Sequence, residues 1–154
     1  MRATYRVLAH SIAGLVVIQA AVMVFAIAGL GLWIDDGNTL TESTFNENTQ
    51  PEFTGAIGFM LHGMIGLMLV PLLALVLVII SFFAKIPGGS KWAGFVLLAV
   101  VAQVFLGIYG HEVAISGLLH GLNAFAVLAV ALLAGRRASA TKDVATTHEV
   151  AASR

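Results

Sequence analysis

Cysteine is absent from the 154 residues. That excludes disulfides, thiolate metal sites and thiol redox chemistry within the chain. Charge is scarce: Asp, Glu, Lys and Arg make up 10% of the residues, where a soluble domain carries about 25%. The scarcity is uneven. Residues 7–34, 53–84, 92–110 and 113–135 contain no Asp, Glu, Lys or Arg at all. What fills them is apolar, with 59% hydrophobic residues overall and a mean hydropathy of +0.96. A helix rising 1.5 Å per residue needs about 20 apolar residues to cross roughly 30 Å of hydrocarbon. The sequence therefore predicts an all-α integral membrane four-helix bundle, with the lipid bilayer as its first partner. Helices are expected at about 7–34, 54–84, 92–110 and 115–135, within a transmembrane domain of residues 1–137. They leave no room for a separate soluble domain.

The charges that remain are sorted by side. Arg2 and Arg6 precede the first span, Lys85 and Lys91 lie between the second and third, and Arg136, Arg137, Lys142 and Arg154 follow the fourth. These are all eight Lys and Arg. The opposite side carries Asp35, Asp36, Glu42, Glu47, Glu52 and Glu112. The positive-inside rule then puts both termini in the cytoplasm of a cell-membrane protein. A net charge of zero without a basic run gives no reason to expect a nucleic-acid partner. The first span, after Arg2 and Arg6 and with Ala26 and Ala28 near its end, imitates a secretion signal. Its apolar run continues to Trp33, longer than the hydrophobic stretch of such a signal, and it is read as a retained helix. The long outer loop 35–52 is polar and acidic; it is either a solvated connection or a lid or docking segment. Residues 138–154 are small and polar and are expected to form a mobile cytoplasmic tail.

The spans pair up by sequence. A shift of 84 residues carries Gln19 onto Gln103, and Phe25 onto Tyr109. A shift of 58 carries Leu61-His62-Gly63 onto Leu119-His120-Gly121, and Gly66 onto Ala124. Two repeated helical hairpins are expected, joined by the turn-forming Pro87-Gly88-Gly89-Ser90.

His62 and His120 then fall at matched depth in the outer half of the second and fourth spans. Ionisable residues inside a bilayer are costly and by default mark a function. Each shares a helix face on which small residues recur: Gly55, Gly58 or Phe59, and Gly66 with His62; Ser116 or Gly117, Asn123 and Ala124 with His120. Small residues allow close helix approach and also leave a flat slot beside an imidazole. Such a slot, with a histidine on each wall, suits a haem with two axial histidines. The second nitrogen of each ligand ring needs an acceptor, a backbone carbonyl or the Ser116 hydroxyl. The candidate metal ligands are thus His62 and His120. Gly66, Gly117, Gln19 and Gln103 are candidate cofactor-binding residues, the glutamines either lining a haem or quinone pocket or bonding across the bundle. Other readings stay open: histidines that merely join helices, a proton path, a zinc or copper site adding His111 and Glu112 to His62, or a copper(I) site on Met60, Met64 and Met68. His10 lacks a counterpart, since Gly94 occupies its shifted position, and is read as interfacial.

The motif Gln103-Val104-Phe105-Leu106-Gly107 resembles the Q-x-x-L-G pattern in the third helix of one half of a heme A synthase. His62-Gly63-Met64-Ile65-Gly66 resembles the haem-ligand helix of that family, and residues 118–137 its fourth helix. The chain is also similar to small bacterial four-helix membrane proteins of the same pattern. The resemblance implies heme b held by His62 and His120. Where that family carries Glu-x-x-His-Arg, this chain has Phe59 in place of Glu and Gly63 in place of Arg, so its oxidative chemistry is not carried over and whether the chain is an enzyme stays open. The expected role is electron transfer or redox sensing, with a quinone or a membrane redox partner, alone or in a homo- or hetero-oligomer. The alternative is a haem-free accessory subunit or small transporter.

Overall fold

A computed structural model describes residues 1–41, 44 and 53–152, with side chains through residue 139. Most of the acidic loop, residues 42, 43 and 45–52, lies outside the described residues, and so does whatever role that loop has. The described chain is helical: α1 spans Arg2–Asp35, α2 Ile57–Ala84, α3 Gly89–Tyr109 and α4 Ala114–Ala152. All four are long and apolar enough to cross a membrane, which fits a multi-pass membrane protein. Their outward faces agree with that setting. Phe82 and Phe125 are 70% and 71% exposed, and side chains of that size in those numbers belong against hydrocarbon. Trp33 and Trp92 lie near opposite ends of the bundle, as in the aromatic belts of membrane proteins.

Local chemistry sets the helix ends. Lys85 takes the left-handed conformation (φ 51°, ψ 44°) and stops α2. Pro87 cannot continue the helix, and Gly88, at φ 70°, turns the chain into α3. Arg2 reaches across to the last carbonyls of α2, donating to Ala84 O at 3.3 Å and Lys85 O at 3.0 Å. That is the favourable place for a cation on a helix. Tyr5 Oη donates to Gly89 O at 2.9 Å, and the Arg137 guanidinium lies 4.8 Å from the centre of the Trp92 ring. At the other end, α3 and α4 are joined by a tight turn in which Val113 N–H donates to Tyr109 O at 2.9 Å.

α4 continues well past the apolar run that predicts it. Its 39 residues extend about 58 Å at 1.5 Å per residue. Nothing after Gly135 is Gly or Pro, and alanine is the strongest helix former, so the backbone has no local reason to stop. The expected tail 138–154 is thus helical through Ala152.

α2 is not regular throughout. Residues Ile65–Leu69 form a π turn, in which Val70 N–H bonds back to Ile65 O. Pro71 explains its position. Proline has no N–H for the carbonyl four residues earlier, and its ring crowds that carbonyl. A π turn just ahead of the proline lets the helix pass the fault without breaking.

α1 packs against α2 and α4, and α3 against α2 and α4, so the two histidine-bearing helices stand on a diagonal. The buried four-helix core is confined to one half of the bundle. It includes Tyr5, Ala9, Ile12 and Ala13 of α1; Val70, Ala74, Leu77 and Ala84 of α2; Ala93, Val96 and Val100 of α3; and Val127, Ala131, Ala134 and Ala138 of α4, with Ile86 of the α2–α3 turn. No residue of α3 beyond Val100, and none of α4 before Val127, is buried. In this second half α1 and α2 bury residues mainly against each other. A Cβ at Gly58 would run into the Val22 carbonyl, and one at Gly29 into the Thr54 carbonyl.

Candidate functional site: two glutamine–histidine pairs

Gln19 of α1 faces His62 of α2 and joins it twice. The Gln19 amide Nε2 donates to the backbone carbonyl of His62 at 3.0 Å. The His62 ring Nδ1 lies 3.2 Å from the backbone carbonyl of Gln19. The same reciprocal arrangement joins α3 to α4: Gln103 Nε2 donates to His120 O at 3.0 Å, and His120 Nδ1 lies 2.9 Å from Gln103 O. Each side chain thus bonds to the other's backbone. A carbonyl oxygen has two lone pairs, so both helices keep their own hydrogen bonds.

These contacts fix the chemistry of the rings. A carbonyl can only accept, so each Nδ1 carries the proton. In a neutral ring so held, the lone pair is left on Nε2. Neither Nε2 has a hydrogen-bond partner among the described residues. The two rings come together from opposite corners of the bundle, with centres 6.0 Å apart and planes inclined at 59°. Metal–imidazole bonds are about 2.0–2.1 Å in zinc sites. Two such bonds, with the part of each ring between nitrogen and centre, span a separation of this size. The donor set also suits haem iron: two neutral imidazoles, each held by a second hydrogen bond of the kind that orients metal-bound histidines. The four-helix core does not reach this half of the bundle, where α1 and α2 pack mainly on each other and α3 and α4 have no buried residue.

The other expected residues divide. Gly66 lies beside the Gln19 amide rather than a ring: a Cβ there would be 2.8 Å from Gln19 Nε2. Gly117 faces Gly110, where a Cβ would stand 3.8 Å from the Gly110 carbonyl, so it serves the α3–α4 approach. The Ser116 hydroxyl donates to Leu106 O at 3.0 Å and takes no part in holding His120, whose acceptor is the other candidate, a backbone carbonyl. Gln19 and Gln103 do not bond to one another; each is used within its own helix pair. His111 and Glu112 are exposed, and among the described residues no three His, Cys, Asp or Glu side chains come together. The nitrogen–oxygen site they were to complete is not assembled. His10 stands apart at the other end, its Nδ1 2.7 Å from Arg6 O and its ring against Gly135.

Two residues matter more than their sequence setting indicates. Asn123, one turn after His120, donates through Nδ2 to Gln103 Oε1 at 2.7 Å and to Ala99 O at 2.9 Å. Gly107, one turn after Gln103, gives the His120 ring its room: a Cβ would stand 2.8 Å from Cε1 and 2.9 Å from Nδ1. Spacing was the available clue to both, since each lies three or four residues from a polar residue of the pair on its own helix.

Comparison of the chain with protein-family models, with curated proteins and with solved structures yields no match.

Proposed function

We propose that this chain is a membrane b-type haem protein, in which His62 and His120 would hold the haem, with a role in electron transfer or redox sensing. One observation carries the reading: each Nδ1 lies against a backbone carbonyl, and the two rings meet 6.0 Å apart with no partner for either Nε2 among the described residues. A haem bound there supplies reversible one-electron chemistry of its iron. The chain's part is orientation. Gln19 and Gln103 fix the ring tautomers and hold the helices that carry the histidines, and apolar side chains keep the surroundings of low polarity, which tunes the potential.

On this reading the chain is two copies of a helical hairpin, α1–α2 and α3–α4, each giving one glutamine and one histidine. The distribution of Lys and Arg supports cytoplasmic termini in the cell membrane, with the haem toward the outer leaflet and a quinone or a membrane redox protein exchanging electrons with it. The short motifs Gln103–Gly107 and His62–Gly66 resemble those of one half of a heme A synthase, and that resemblance points to the same ligand assignment. The reciprocal hydrogen bonds also support a second reading, in which they simply tie helices together in a haem-free accessory subunit or small transporter.

The reduced-minus-oxidised absorption spectrum of the detergent-purified protein, produced with haem in supply, separates the two. A low-spin b-type spectrum that disappears in both His62→Ala and His120→Ala is expected. A colourless wild-type protein overturns the haem reading.

A further inference from the structure

The two histidines are not held equally. Around His120 every polar atom of the supporting amide is used: Gln103 Nε2 donates to His120 O and Oε1 accepts from Asn123, which is itself anchored on Ala99 O. The ring is wedged against Gly107. Around His62 the counterpart of Asn123, three residues on, is Ile65, which has no donor. Gln19 is 9% exposed, and its Oε1 is buried without a hydrogen-bond partner among the described residues. The ring contact to the Gln19 carbonyl is longer, 3.2 Å against 2.9 Å. The backbone that follows His62 is the π turn Ile65–Leu69 ahead of Pro71, whereas α4 is unbroken α-helix past His120. The segment Ile57–Met64, which bears His62, packs chiefly on α1 alone.

We propose that His62 is the exchangeable member of the pair: in the haem-loaded protein it is the imidazole that would give way to a small neutral diatomic ligand, while His120 would stay bound. This inference rests on the haem reading above. The balance is a simple ligand exchange, one iron–nitrogen bond broken and one bond to the incoming molecule formed, with no change in electron count. Polar groups that support a ligand from behind set metal affinity over about 10–100-fold, and the two sides differ in that support by a complete amide. The π turn Ile65–Leu69 adds a break in the regular α-helical bonding directly after His62, of the kind found frequently at functional sites.

The test uses the full-length protein with its haem, reduced and exposed to carbon monoxide. Binding to wild type is expected, with a final spectrum matching that of His62→Ala. That variant is expected to keep its haem, whereas His120→Ala loses it on purification. Ile65→Asn supplies the missing donor and is expected to slow carbon monoxide binding on the order of tenfold. Amide hydrogen exchange of wild type gives a reading independent of the haem spectrum and of any variant's folding: residues 65–70 are expected to exchange faster than residues 123–128. A haem-loaded protein that excludes carbon monoxide overturns the proposal, and so does exchange at 65–70 as slow as at 123–128. A wild type that takes up no haem defeats the underlying reading instead, which keeps the two failures distinct.

Discussion

At Gln103 a buried amide does all that its chemistry allows; at Gln19 the same amide, in the same relation to a histidine, leaves its oxygen unused. The cause is one residue, Asn123 on α4 against Ile65 on α2. A buried acceptor without a donor costs about 1–3 kcal/mol, so the two pairs provide the same ring tautomer at different stability. Orienting an imidazole requires only the Nδ1–carbonyl contact. Locking it requires that the glutamine itself be held, and only one side meets that second requirement.

Of the residues around the two pairs, Gly107 tolerates change least. Gly107→Leu drives a side chain into the His120 ring, and overpacking of this kind costs about 1–3 kcal/mol; a lower midpoint of thermal unfolding in detergent is expected, together with loss of the low-spin spectrum. Met23, which lies four residues after Gln19 as Gly107 lies after Gln103, already carries a long side chain. Met23→Leu is expected to leave both measurements nearly unchanged. A smaller contrast separates Gln103→Leu from Gln19→Leu. The first removes a donor and an acceptor and strands one bond of Asn123, for about 1–2 kcal/mol. The second also removes the unpaired oxygen and is expected to shift stability by under about 0.5 kcal/mol, because interhelical hydrogen bonds in membranes average about 0.6 kcal/mol. Equal losses in a denaturant titration would show that the orphaned oxygen carries no energetic weight. Asn123→Ile makes the second pair resemble the first and is expected to cost about 1 kcal/mol. Least of all, Ile65→Asn is expected to raise stability by a few tenths of a kcal/mol, the gained bond being offset by the lost packing of Ile65 against the core.

Much of this was legible from residue types alone. Charge-free stretches gave four spans, because hydrocarbon tolerates little else. The histidines and glutamines stood out as polar residues inside apolar runs. Their partners did not, because a helix face says which residues are neighbours on one helix and nothing about the atom opposite on another. Gly66 and Gly117 were picked by face, and the first serves an amide while the second serves a turn. Asn123 was visible on the histidine face, but its task is set by a side chain on α3. The π turn was hidden for another reason: Pro71 announces a fault in the ladder, and only the packed helix decides whether a kink, a break or an extra residue resolves it. The extension of α4 came from backbone propensity, which takes over where the apolar pattern ends.

The confinement of the core to one half of the bundle gives the molecule the mechanics of a clothes-peg. The spring is the packed block around Ile12, Leu77, Val96 and Val127; the jaws are the α1–α2 and α3–α4 arms beyond it, and a histidine sits on each jaw. Parting the jaws disturbs no fully buried contact of the block. On the haem reading, folding and loading would become separate events: the closed end would assemble once four helices are inserted, and the tips would remain able to receive the cofactor afterwards.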